Sequence, residues 1–141
     1  NARLRPDVIV DIATLTGAAT LGLSRQFGAL FTADDGLAKR LLEAGNESND
    51  RLWRLPLADE YRASLDSPIA DIAHVSRGNV GGGAITAALF LKEFTGNRRW
   101  AHLDIAGPAR ADKPRGELSR GATGFGVRLL LNWLQSSPDL W

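Results

Sequence analysis

The chain of 141 residues contains no cysteine. Disulfide bridges, cysteine-ligated zinc fingers and a thiol nucleophile are therefore excluded, which agrees with a reducing compartment. Methionine is missing as well, even at position 1. The chain reads as a processed form or a fragment, and an N-terminal targeting signal in the parent protein stays open. Charge of one sign is not in excess: 17 Lys and Arg stand against 16 Asp and Glu, a formal net charge of +1. The arginines are scattered, with only short pairs such as Arg98-Arg99, so no basic stripe for a nucleic acid is visible. No apolar run approaches the length of a membrane span. The hydrophobic share of 44% and the length suffice for one globular domain with a real core.

The hydrophobic runs that are present alternate between two periods. "PDVIVDIA" (6–13) is short, β-branched and apolar on both faces, the pattern of a central parallel strand. "GALFTA" (28–33) reads as a second strand. "DDGLAKRLLEAGN" (34–46) reads as a helix, capped by Asp34 or Asp35 and ended by Gly45. "RLWRLPLADEYRASL" (51–65) is extended up to Pro56 and then a short helix. "IADIAHV" (69–75) fits a strand or a loop. "SRGNVGGG" (76–83) is a loop, because consecutive glycines favour neither regular structure. "AITAALFLKEF" (84–94) is a helix, with Ala84, Ala87, Ala88 and Leu91 on one side. "RWAHLDIAG" (99–107) is a strand, and 109–121 a polar surface loop. "FGVRLLLNWLQ" (125–135) is a terminal helix whose main apolar face is Val127, Leu130, Leu131 and Leu134. No repeat or linker divides the chain, and strands alternating with helices predict a layered α/β fold.

Several chemistries lack their residues. "GNVGGGAIT" (78–86) precedes a helix, but no lysine follows Gly83 as a P-loop requires, and Thr86 stands where a dinucleotide loop needs glycine. A close helix contact or a mobile loop accounts for these glycines better than a nucleotide does. No Gly-x-Ser-x-Gly is present to support a serine hydrolase. His102 and Asp104 share a strand face, and His74 is the other histidine of the chain. The preferred reading of His102 and Asp104 is a buried hydrogen-bonded pair rather than half of a metal site. "ATLTGA" (13–18) carries more. It lies beyond the carboxyl end of a strand, where open α/β sheets bind ligands. Gly17 leaves its N–H approachable, and Ala18 and Ala19 open a short helix whose first N–H groups favour a polar ligand. A tight strand-to-helix turn, with the threonines satisfying backbone groups, is the alternative.

"DVIVDIATLTGAA" (7–19), "NDRLWRLPLADEY" (49–61), "SPIADIAHV" (67–75), "GGGAITAALFLKEF" (81–94), "WAHLDIAGPA" (100–109) and "GATGFGVRLLLNWL" (121–134) occur in this order. Together they resemble the leucyl (cytosol) aminopeptidase family of two-metal exopeptidases over nearly the whole chain. The resemblance implies a three-layer, mixed-sheet domain of the zinc-exopeptidase type, of which residues 1–141 would be the C-terminal portion. It implies hydrolysis of N-terminal residues from peptides by two divalent ions, Zn, Mn or Mg, which activate a bridging water. It also implies a cytoplasmic homohexamer acting on peptides, while the charge and hydropathy patterns above leave no nucleic-acid or membrane partner.

In this family a lysine and several carboxylates hold the metals, the last of them in an Asn-Thr-Asp-Ala-Glu-Gly-Arg signature. This chain has no such signature, and "NARLRPD" (1–7) lies too close to "ATLTGA" to be one. The resemblance therefore places no metal ligand and no catalytic residue in this chain, and Asp11, Asp71 and Asp104 have no clustered partner. It assigns a substrate wall instead. The Leu15 carbonyl and the Gly17 N–H would hold the peptide backbone. Thr14 and Ala106 would border the side-chain pocket, Thr16 would steady the turn, and Val75 is a further candidate for the lining. Two rival functions remain: a catalytically inert folding or oligomerisation module, and a nucleotide-binding domain.

Overall fold

The computed structural model describes residues 4–78 and 81–136. Asn79 and Val80 of the glycine loop lie outside the described residues, as do the first three residues of "NARLRPD". The elements follow as β1 (Val8–Ala13), α1 (Gly17–Leu23), β2 (Gly28–Phe31), α2 (Asp35–Ser48), β3 (Leu52–Arg54), a 3-10 helix (Asp59–Leu65), α3 (Gly83–Lys92), β4 (Arg99–Asp104), a small hairpin of β5 (Arg110–Ala111) and β6 (Gly121–Ala122), and α4 (Val127–Ser136). The main sheet has the order β1-β4-β2-β3. β1 is parallel to β4, β4 antiparallel to β2, and β2 parallel to β3.

Helices cover both faces of this mixed sheet, giving three layers. On one face α2 and α4 pack Leu37, Leu41, Leu129 and Trp133 against Leu30, Leu52, Ala101 and Leu103. Burying each leucine contributes about 1.5–3 kcal/mol relative to leaving it in water. On the other face α1 and α3 bring Ala19, Ala84 and Ala88 against Ala29, Phe31 and Trp100. Alanines let these two helices lie close to the sheet, and Gly83 lets them lie close to each other: a Cβ there would stand 3.2 Å from the Ala18 Cβ. The glycine loop thus serves a close helix contact.

The structure departs from the sequence pattern at several places. The span 109–121, expected as a polar loop, is bracketed by the short antiparallel strands β5 and β6. The central strand is β4, buried from Trp100 to Asp104, whereas β1 is a sheet edge with half-buried side chains. Gly45 does not end α2. It is buried inside the helix, where a Cβ would approach the Asp50 carbonyl to 2.8 Å, and the helix stops at Asn49 in the left-handed conformation. On α4 the core face is Leu129 and Trp133, with Leu130 partly buried, while Val127, Leu131 and Leu134 are exposed. Two apolar stripes run along this helix, and the weaker-looking one carries the large indole. The segment 69–75, open between strand and loop, is irregular.

Asp34 sets the start of α2. Its carboxylate accepts from the Leu37 N–H at 2.8 Å and from the Arg99 Nε at 2.6 Å. The Arg99 hydrogen bond, followed by the Leu37 N–H, holds its pKa below the ordinary value of 3.8. A depressed folded pKa means the contribution is present above the unfolded value and lost as pH falls through the lowered one. Asp34→Ala should cost about 1 kcal/mol at neutral pH. In urea denaturation over an acid series, the gap between wild type and variant should close as the carboxylate protonates.

Candidate functional site at the strand ends

β1 and β4 finish side by side, Ala13 opposite Asp104. Two loops leave from there: Thr14-Leu15-Thr16, which enters α1, and Ile105-Ala106-Gly107. The Ile105 N–H donates to the Ala13 carbonyl at 2.8 Å. Beyond that, one side chain ties the loops together. Asp104 Oδ1 accepts from the Leu15 N–H and from the Ala106 N–H, each at 3.1 Å. Its Oδ2 accepts from the Thr16 hydroxyl at 2.7 Å. That hydroxyl oxygen in turn accepts from the Ala19 N–H at 3.0 Å, so Thr16 caps α1. Asp104 is 1% exposed. A carboxylate so buried is tolerable because three donors replace its water.

Gly107 completes the clamp. A Cβ there would lie 2.1 Å from the Ser24 carbonyl oxygen, so only glycine lets the β4 loop close against the far end of α1. The β4 loop therefore grips α1 at both ends. Between them Thr14, Leu15 and Gly17 are exposed and Ala106 is half-buried. Nothing lies within 4 Å of a Cβ placed on Gly17. Its N–H opens the helix, where backbone donors have no intrahelical acceptor. The structure thus brings Leu15 and Ala106 together through Asp104 and leaves Gly17 open beside them. Val75 is exposed on the irregular stretch after the 3-10 helix, with no hydrogen bond to these loops.

The expected His102–Asp104 pair does not form. The His102 Nδ1 lies 2.5 Å from Asp11 Oδ1, and the Trp100 Nε1 donates to Asp11 Oδ2 at 2.6 Å. Residues two apart on a strand share a face but stand roughly 6.5–7 Å apart along it. Asp11 is the direct cross-strand partner of His102 in the β1–β4 register, where side chains come closer. Asp104 is left to serve the loops. Its role in the turn was not visible in the sequence, although its place at the end of a strand, two residues before Ala106, was the available signal.

Residues 1–131 match the catalytic domain of the cytosol aminopeptidase family. The chain belongs to that family. It is 49% identical over 132 residues to a probable cytosol aminopeptidase of Synechococcus sp. (strain JA-3-3Ab), covering 94% of the chain and 26% of that protein. It is 51% identical over 134 residues to a probable cytosol aminopeptidase of Trichormus variabilis, covering 95% and 27%. The chain spans about a quarter of the length of these relatives. Among solved structures, a tomato leucine aminopeptidase mutant superposes with a TM-score of 0.82 at 42% identity, over 91% of this chain and 24% of that one. The bottromycin maturation enzyme BotP gives 0.90 at 44% identity, over 98% and 31%. BotP in complex with Mn gives 0.88 at 44%, over 95% and 30%.

The strand-end site of this member of the family offers backbone groups and small side chains. Its carboxylate, Asp104, has both oxygens engaged. No group of three or more His, Cys, Asp or Glu positioned to hold a metal ion occurs among the described residues. The donor set at the strand ends therefore does not fit a metal pair. No helix among the described residues is long and apolar enough to cross a membrane.

Proposed function

We propose that this chain forms one wall of the substrate site in a metal-dependent aminopeptidase that releases N-terminal residues from peptides. The supporting observation is the Asp104 carboxylate, which joins the Leu15 and Ala106 loops while leaving backbone groups next to an unobstructed Gly17. In this reading the Leu15 carbonyl accepts from the peptide backbone and the Gly17 N–H donates to it. Backbone groups grip any peptide, whatever its sequence. Thr14 and Ala106 border the pocket for the N-terminal side chain, and small residues there admit an aliphatic group. Val75 is a further candidate for the lining of this pocket. The two divalent ions, Zn, Mn or Mg, activate water in the whole enzyme and are held by residues outside this chain. In this reading the whole protein works in the cytoplasm, which the naming of the relatives as cytosol aminopeptidases supports, and it assembles as a homohexamer, which rests on the family resemblance alone.

The test is peptidase assay of the whole enzyme carrying Gly17→Val. The added side chain has open space in the fold but would stand where substrate approaches the N–H. One lost polar anchor costs about 1–3 kcal/mol, roughly a 5- to 150-fold fall in kcat/KM, with the melting temperature almost unchanged. Wild-type kinetics in that variant would refute the role. The same kinetics separate this reading from its rival, an inert folding or assembly module, because the rival expects no loss of kcat/KM in Gly17→Val; the 141-residue chain alone, with and without added Mn, should be inactive on either reading. Turnover by the isolated chain would show that it carries its own metal site.

A further inference from the structure

We propose that a cavity at the same end of the sheet binds a compact, multivalent oxyanion of the phosphate class. The cavity measures about 360 Å³ and is lined by Arg25, Arg51, Arg115 and Arg128 against the carboxylates of Asp50 and Glu117. These arginines are far apart in sequence. They meet because β2 runs antiparallel to β4, with Ala29 opposite Asp104, so the segments entering β2 and β3 lie beside the loops that leave β4. The hairpin of β5 and β6 and the start of α4 supply the other two.

The acids in the cavity do not neutralise it. Asp50 is 3% exposed, and its Oδ2 accepts from the Gly126 N–H at 3.0 Å and the Leu129 N–H at 3.4 Å, so it is committed to the first turn of α4. Its Oδ1 and Glu117 both face Arg128. Both carboxylates thus face the same arginine, and the cavity keeps a net positive charge through Arg51 and Arg115. Arg115 is held by an uncharged group, its Nη1 donating to Gln26 Oε1 at 3.0 Å. The Arg51 guanidinium lies 4.6 Å over the Phe27 ring. Neither has a carboxylate within ion-pair distance among the described residues. Arg25 sits at the rim, where its Nη1 donates to the Arg110 carbonyl at 3.2 Å and pairs with Asp112. An adjoining cavity adds Arg110 and Lys113. Planar guanidinium groups oriented by a ring, an amide and a carbonyl are pre-set to give paired hydrogen bonds to an oxyanion. Glu117 competes for the same space, since an anion reaching Arg128 must displace it.

Isothermal titration of the chain with pyrophosphate at low ionic strength tests the site, with inorganic phosphate and acetate as further arms. Saturable 1:1 binding is expected, strongest for pyrophosphate, weaker for phosphate and undetectable for acetate. Arg51→Ala and Arg115→Ala should each weaken it about 5-fold, and the pair together by more than 10-fold. Glu117→Gln should tighten it several-fold by freeing Arg128, a gain that a merely structural residue would not give. Arg62→Ala, on the far side of the molecule in a pair with Glu93, should leave affinity unchanged. Absence of saturable binding by wild type overturns the proposal. So does equal weakening by Arg62→Ala, or a Glu117→Gln variant no tighter than wild type.

Discussion

Asp104→Ala should unfold the strand-end site and remove a large part of the chain's stability. The substitution leaves the Leu15 N–H, the Ala106 N–H and the Thr16 hydroxyl without their acceptor. Each orphaned donor at a buried position costs about 1–3 kcal/mol. Two of the three can turn partly to water, because Leu15 is exposed and Ala106 half-buried. A total near 3–5 kcal/mol is expected, against the roughly 5–15 kcal/mol that holds a whole domain folded. Asp104→Asn is the informative companion. Its amide oxygen can keep the two backbone donors, and its NH₂ can donate to the Thr16 hydroxyl oxygen, so it should lose only about 1–2 kcal/mol. Urea denaturation measures both, and hydrogen exchange at Leu15 and Ala106 reports the loops separately. If Asp104→Ala costs under 1 kcal/mol and leaves those amides protected, the carboxylate does not organise the site.

That prediction rests on a residue whose type was plain in the sequence and whose partners were not. That "RWAHLD" is a strand, and which of its residues alternate, could be read from the pattern; that it is the buried inner strand could not, because "PDVIVDIA" carries the stronger apolar signal. Nor could the identity of the strand beside it. His102 pairs with Asp11 only because β1 lies parallel to β4 in one particular register, and register is a property of two segments 91 residues apart. The same limit explains α4. Its two apolar stripes are both legitimate amphipathic faces, and only the position of α2 decides that Leu129 and Trp133 turn inward. Local signals fared better. The Thr16 cap, the Asp34 cap and the short helix after Gly17 all depend on side chains within a few residues of the backbone they serve. The arginine cavity is the converse case: the sequence shows scattered charges, and the fold gathers four of them.

The isolated chain should self-associate with micromolar or tighter affinity rather than remain a monomer. β1 lies at the edge of the sheet, and its outer backbone groups have no strand partner among the described residues. Edge strands of natural proteins are usually shielded by charge, proline or a bulge, and "VIVDIA" offers one aspartate, which is already engaged with His102 and Trp100. The apolar surface does not stop at the strand. Ile12 is 39% exposed, and on α4 Val127, Leu131 and Leu134 are 67%, 55% and 44% exposed. Gly126, at the head of that helix, comes so near β1 that a Cβ on it would stand 2.4 Å from the Ile12 Cδ1. The head of α4 therefore lies beside β1, and exposed apolar surface of this kind mediates association when uncovered. A partner that covers it stabilises the folded state by mass action. Sedimentation velocity across a hundredfold range of concentration should show the weight-average coefficient rising, and the melting temperature should rise with it. Val127→Lys together with Leu131→Lys should shift the chain toward monomer and lower the melting temperature at high concentration only. A compact monomer with a melting temperature independent of concentration would show that β1 and α4 need no cover, and that this segment is a self-sufficient domain.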